Sequence, residues 1–128
     1  MCRRAEKWET RPRYDHLRYY GFRTMTDTLL DHITRTIVER FHPRRVILFG
    51  SRARGEAQPD SDLDLFVEVE TQARPPERSV EFSSVFGLRP WSMDLVVYTP
   101  QEVQRLRSVH GTLLSVIEAE GKVLYERP

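Results

Sequence analysis

Cysteine is almost missing from this 128-residue chain. Cys2 stands alone, which excludes an internal disulfide framework and fits a reducing compartment. Long apolar runs are missing too. No stretch approaches the ~20 residues of a membrane-spanning helix, and the N-terminus lacks the apolar centre of a secretory signal. A cytoplasmic protein with no membrane partner is therefore expected. His16, His32, His42 and His110 never fall three or four apart, and without a cysteine pair no zinc pattern of the usual kinds can be drawn. An excess of charge of one sign is also lacking. Lys plus Arg number 20 against 19 Asp plus Glu, a formal net charge of +1, which argues against a strongly basic nucleic-acid binder and against an acidic disordered chain. Lysine itself is scarce. Eighteen of the 20 cations are arginines spread over the whole chain, a compositional habit of the source rather than a selected phosphate-binding surface.

The balance conceals an uneven placement. Residues 1–25 hold seven basic and three acidic residues, leaving thirteen against sixteen in the remainder. A basic arm, with Trp8, Tyr14, Tyr19, Tyr20 and Phe22, precedes a mildly acidic domain. The arm shows neither helical nor strand periodicity and contains Pro12 and Gly21, so residues 1–25 are expected to be a flexible extension and 26–128 the single domain.

Within that domain helices and strands alternate. Thr26 or Asp27 can cap a helix in which Leu29, Leu30, Ile33, Ile37, Val38 and Phe41 recur at spacings of three to four, ended by His42-Pro43. Arg45–Phe49 (RVILF) suits a strand buried on both faces. Gly50–Ala57 opens a tight turn and a short helix. Residues 62–70 (DLDLFVEVE) alternate, with Leu63, Leu65, Val67 and Val69 on one face and Asp62, Asp64, Glu68 and Glu70 on the other. Pro75-Pro76 begins a helix through Phe86, and residues 93–99 form a third strand. Pro100 starts one long helix whose apolar face includes Val103, Leu106, His110, Leu113, Leu114 and Ile117, with His110 expected as a structural histidine. Gly121 stops it, and Lys122–Tyr125 is a closing strand. The pattern is that of an α/β domain of two or three layers.

The chemistry concentrates in Phe49-Gly50-Ser51-Arg52-Ala53-Arg54-Gly55 and in Asp62-Leu63-Asp64. A Gly-Ser pair at the end of a buried strand, opening a helix, offers unpaired backbone N–H groups and a hydroxyl, and the helix N-terminus favours phosphate. Arg52 and Arg54 in the same turn can add charge-assisted bonds. Alone, the pair is equally a turn with an N-capping serine. Asp62 and Asp64, two apart on a strand, project from one face with Cα atoms about 6.5–7 Å apart. Such like charges repel unless a cation neutralises them, and Mg²⁺ is the natural hard-oxygen occupant. A solvent-facing acidic edge is the bland alternative, and Glu68 and Glu70 are expected to be that. Asp94, opening the next strand, supplies a third carboxylate. Phe82, Val85, Phe86 and Trp91 are expected to pack in the core or on a partner-facing surface.

Gly50-Ser51, ten residues, Asp62-x-Asp64 and a later strand aspartate together resemble the nucleotidyltransferase superfamily that includes DNA polymerase beta. The words FGSRARGEA, SDLDLFVEV and EGKVLYE resemble its minimal nucleotidyltransferases, antitoxins that pair with a HEPN-domain toxin. The resemblance implies a polymerase beta-like α/β fold, a mixed sheet flanked by helices. It implies that Gly50 and Ser51 hold the β/γ-phosphates of ATP, with Arg52 and Arg54 as further nucleotide-binding candidates. Asp62, Asp64 and Asp94 would be the catalytic carboxylates and the ligands of two Mg²⁺ ions. The reaction implied is Mg²⁺-dependent transfer of AMP from ATP to a hydroxyl, tyrosine being the expected side chain, of a cognate HEPN toxin in a type VII-like toxin–antitoxin pair. Larger superfamily members carry a helical domain that helps to bind the acceptor; with the domain here consumed by the catalytic core, a second chain is expected to present it. Three other readings stay open: a small-molecule nucleotidyltransferase of the aminoglycoside-modifying type, a tRNA- or polynucleotide-extending enzyme for which only the basic arm could serve as a binding module, and an antitoxin that neutralises its partner by binding alone. Met25-Thr26-Asp27 reads as a start before a capped helix, so the arm is expected to be dispensable to catalysis and an upstream extension of the reading frame.

Overall fold

The computed structural model describes residues 27–58, 61–87 and 91–127, so the expectations for the arm fall outside the described residues. Helix α1 spans Asp27–Phe41 and buries Leu29, Ile33 and Ile37 along one stripe, as the three-to-four spacing requires. It stops at His42, which takes the left-handed conformation (φ 53°), a position histidine tolerates better than most side chains. Its N–H still reaches the Val38 carbonyl at 3.0 Å.

Strand β1 (Arg45–Phe49) runs through the middle of a four-stranded mixed sheet ordered β3-β2-β1-β4. It pairs antiparallel with β2 (Leu63–Glu68) and with β4 (Lys122–Glu126), while β2 pairs in parallel with β3 (Met93–Tyr98). As expected of RVILF, both faces of β1 are covered. Val46 and Leu48 pack with α1, with Leu63, Leu65 and Val67 of β2, and with Phe82 of helix α3 (Pro75–Ser84). Ile47 packs on the opposite side with Phe66, with Val103 of helix α4 (Pro100–Leu106), and with Leu114 and Ile117 of helix α5 (Leu113–Glu120). Helices therefore lie on both faces, a three-layer arrangement. Phe41 and Phe82 stack at 3.7 Å between ring centroids and join α1 to α3. Phe82 is core, and Phe86 and Trp91 pack edge-to-face against its margin.

Three expectations need correction. The long C-terminal helix is two helices. Between Leu106 and Leu113 the chain turns, Gly111 adopts φ 81°, and the Thr112 hydroxyl accepts from the Ser115 N–H to restart the helix. Apolar spacing ran smoothly across the break, but a glycine followed by a capping threonine outweighs it. His110 consequently sits exposed in the turn instead of on an apolar helix face. Glu68 is not a solvent-facing acid. Its side chain is 7% exposed and accepts from Arg45 Nε at 2.7 Å, the pairing that burial of a carboxylate demands. Glu70 does face solvent.

Candidate functional site

The end of β1 and the starts of β2 and β3 meet at one edge of the sheet. Phe49 stands opposite Asp64, and Asp64 is in parallel register with Asp94. Adjacent strands lie about 4.8 Å apart, so the two carboxylates leave neighbouring backbones at the same level. Asp62, one residue before β2, has the same side-chain parity as Asp64 and is exposed, as is Asp94; Asp64 is half-buried between them.

Gly50 follows β1 with φ 77°, a conformation L side chains rarely adopt. It is needed for a second reason. A Cβ there would run into Asp64, meeting its Oδ2 in hard overlap and its Cγ at 3.0 Å. The backbone at Gly50 is thus laid directly against the Asp64 carboxyl, and no other residue allows that approach. Helix α2 (Ser51–Arg54) starts there as a single turn closed by Gly55 at φ 76°. The Gly50 carbonyl accepts from Ala53 and Arg54, and the Ser51 hydroxyl makes no hydrogen bond among the described residues. Those features place beside the carboxylate cluster a small turn whose Gly50 and Ser51 N–H groups make no backbone hydrogen bond among the described residues.

Electrostatics at the cluster are unfavourable as they stand. Burial pushes the Asp64 carboxyl above the ordinary aspartate value, and the Asp94 and Asp62 charges push it further, opposed weakly by Arg54 and Arg52. None of the three aspartates forms an ion pair among the described residues. Nor, among those residues, are three acidic, histidine or cysteine side chains gathered tightly enough to hold a metal ion. Carboxylate oxygens are hard ligands, so the chemistry of these side chains, though not their spacing as it stands, matches a hard divalent ion.

The arginines of the motif are engaged elsewhere. The Arg52 guanidinium donates from Nη2 to the Ser61 carbonyl at 2.6 Å and to that of Gln58 at 3.4 Å, pinning the loop that enters β2. Arg54 donates to Glu56 at 2.9 Å and to Glu120 at 3.5 Å, and its charge is further secured by the Glu56 carboxylate. Gly50, Ser51, Asp62, Asp64 and Asp94 are therefore brought together, whereas Arg52 orders the adjoining loop and Arg54 ties α2 to the end of α5.

One positioning group escaped sequence reasoning. Arg78 of α3 is buried and donates to the Val97 carbonyl on edge strand β3 at 3.1 Å and to Glu102 of α4 at 2.7 and 3.3 Å. It clamps the strand carrying Asp94 between two helices. The signal for the Glu102 half was present: Thr99-Pro100-x-Glu102 is a capping box, and Thr99 and Glu102 exchange both bonds.

Comparison with known proteins bears on this edge. The family model described as Polymerase beta, Nucleotidyltransferase matches residues 31–128. Among solved structures, a toxin–antitoxin determined with AMP-PNP aligns at TM-score 0.50 and 22% identity, covering 75% of this chain and 73% of that one. A Sulfolobus solfataricus protein proposed to be a nucleotidyltransferase aligns at TM-score 0.52 and 22% identity, covering 75% and 76%. Both likenesses are of fold. No curated protein sequence matches the chain.

Proposed function

Starting from the fact that the chain belongs to the polymerase beta nucleotidyltransferase family, we propose that it transfers AMP from ATP to a hydroxyl of a cognate HEPN toxin, a tyrosine side chain being the expected acceptor, and so acts as the antitoxin of the pair. The observation that carries the transferase half is the Gly50–Asp64 contact, which sets an α2 turn with open N–H groups directly against Asp64 with Asp62 and Asp94 alongside. The toxin–antitoxin neighbour determined with AMP-PNP supports the acceptor half.

The roles follow from the chain's own groups. The N–H groups at Gly50 and Ser51, with the Ser51 hydroxyl, bind the β/γ-phosphates of ATP and hold the α-phosphate over the aspartates. Asp62, Asp64 and Asp94 would hold Mg²⁺, which would neutralise triphosphate charge and polarise the reacting oxygens. Asp94, exposed and level with Asp64, is in this reading the carboxylate that takes the proton of the acceptor hydroxyl. The hydroxyl oxygen forms its bond to the α-phosphorus in line as the bond to the bridging oxygen breaks, and pyrophosphate departs. Arg52 keeps the entrance of β2, and with it Asp62, in place. Catalysis of this kind rests on alignment and charge neutralisation, with no covalent enzyme intermediate.

The test is mass spectrometry of the proposed partner toxin after incubation with this protein, ATP and Mg²⁺. A mass increase of one AMP on the toxin, abolished by Asp64→Asn, is expected. AMP appearing only on a small molecule would overturn the proposed acceptor. Neutralisation in cells that survives Asp62→Asn with Asp64→Asn would overturn catalysis as its basis.

A further inference from the structure

The opposite end of the sheet carries a polar feature that nucleotidyl transfer does not use. Arg44, Arg45, Glu68, Arg107, Glu126 and Arg127 line a cavity of about 150 Å³. Three strands and the C-terminal end of α4, which carries Arg107, deliver these residues together. Arg45 stands opposite Glu68 on one side and Glu126 on the other. The Arg44 N–H donates to the Glu68 carbonyl at 2.7 Å, and the Arg127 N–H donates to the Arg44 carbonyl at 2.8 Å. The floor is thus held by sheet hydrogen bonds, roughly 17–20 Å along the chain of β1 from Gly50 at about 3.3 Å per residue.

Cations and carboxylates around the cavity are unequally matched. Arg45 donates to Glu68 at 2.7 Å and to Glu118 at 3.0 Å, and Arg107 donates to the same Glu118 at 2.7 Å. These pairs occupy Glu68 and Glu118. Arg44 Nε is 3.9 Å from Glu68, outside hydrogen-bonding distance, and its side chain is 59% exposed. Arg127 forms no ion pair among the described residues. Two of the lining arginines, Arg44 and Arg127, therefore have no hydrogen-bonded carboxylate among the described residues, and Glu126 is the lining acid not engaged by another side chain among them. No apolar side chain lines the space, which leaves nothing to receive a base or ring.

We propose that this cavity binds a single phosphate group, gripped by Arg44 and Arg127 with Arg107 at its rim. Guanidinium forks match phosphate oxygens in bidentate geometry. Glu126 sharpens the choice of anion. Phosphate and its monoesters keep a proton near pH 6 that can be donated to a carboxylate, whereas sulfate has none to donate. An acid among arginines therefore favours phosphate over sulfate. The site is separate from the nucleotide site and stands or falls independently of the proposed transfer reaction.

Amide and arginine Nε–H signals of the full chain, followed by ¹⁵N NMR at pH 6 and constant ionic strength, test it with inorganic phosphate, glycerol 3-phosphate and sulfate as probes. Saturable shifts at Arg44, Glu68 and Arg127 are expected with phosphate, at least tenfold weaker with sulfate, and undiminished by a saturating non-hydrolysable ATP analogue. Tighter binding of the ester assigns the site to a phosphorylated molecule; tighter binding of the free ion assigns it to phosphate itself. Arg44→Gln with Arg127→Gln should weaken binding at least tenfold while the remaining spectrum is unchanged. Three outcomes would overturn the assignment: no saturable shift, equal binding of sulfate, or equal binding by the double variant.

Discussion

Asp64 is where this structure is least comfortable. A carboxylate that is half-buried and flanked by Asp94 and Asp62 holds its proton more firmly than a free aspartate, whose ordinary value is 3.8. The unfolded chain feels none of this, so ionisation of Asp64 costs the fold stability once the pH rises past 3.8, with the full cost reached above the raised folded value. Asp64→Asn is therefore expected to unfold at a higher temperature than the parent at neutral pH while losing nucleotidyl transfer. Carboxyl ¹³C NMR titration should place the parent's Asp64 midpoint above 3.8, and Asp94→Asn should move that midpoint downward by removing the largest neighbouring charge. A midpoint unmoved in Asp94→Asn would show that the two groups do not communicate across β2 and β3. At the same scale, Gly50 was legible as the glycine of a tight turn opening a helix. Its partner was not, because Asp64 lies fourteen residues on and meets it only through β1–β2 pairing.

Among elements, α1, β1 and α3 followed from periodicity and punctuation. RVILF carries its two-sided burial in its own composition, and His42-Pro43 ends α1 as an X-Pro step should. The C-terminal helices show where periodicity misleads: an apolar repeat can be continued by two helices in series, and Gly111-Thr112 marks the joint. The joint between α3 and α4 depends on one ion pair. Glu102 is held below the ordinary glutamate value chiefly by its hydrogen bond from Arg78. The unfolded state takes up the proton first as pH falls, so this increment is complete above about 4.5 and is lost as pH drops through the depressed folded value. Arg78→Ala removes the guanidinium from Glu102, which keeps only the Thr99 N–H, and removes the side-chain donor of the Val97 carbonyl, a loss of about 3 kcal/mol for a pair that is buried on the arginine side. Urea titration at pH 7 should register that loss, and the difference from the parent should shrink below pH 4.

For the whole molecule, the topology separates two kinds of polar chemistry to opposite ends of one sheet. The acidic end lies where β1 finishes and β2 and β3 begin; the arginine-rich end lies where β1 starts and β2 and β4 finish. Everything the proposed transfer reaction uses lies between Gly50 and Asp94, and the family match begins at residue 31. A chain starting at Met25 is accordingly expected to transfer AMP at an undiminished rate, measured as label incorporated into the acceptor. Loss of transfer would assign the arm a part in catalysis or acceptor binding. Among the described residues no helix is long and apolar enough to cross a membrane.

By itself the sequence determined what local rules govern. It set the helix and strand positions up to Tyr98, the burial of RVILF, the turn at Gly50-Ser51 and the one-faced spacing of Asp62 and Asp64, because each depends on residues a few places apart. Tertiary structure alone decided the rest, since pairing across a sheet joins residues that no local spacing relates. It put Asp94 level with Asp64, and it spent Arg54 on Glu120, sixty-six positions away. It buried Glu68 against Arg45 and drew Arg44 and Arg127 to one cavity. Whether an arginine meets a nucleotide or a neighbouring glutamate depends on what the fold carries within reach, and one strand's alternation cannot reveal that.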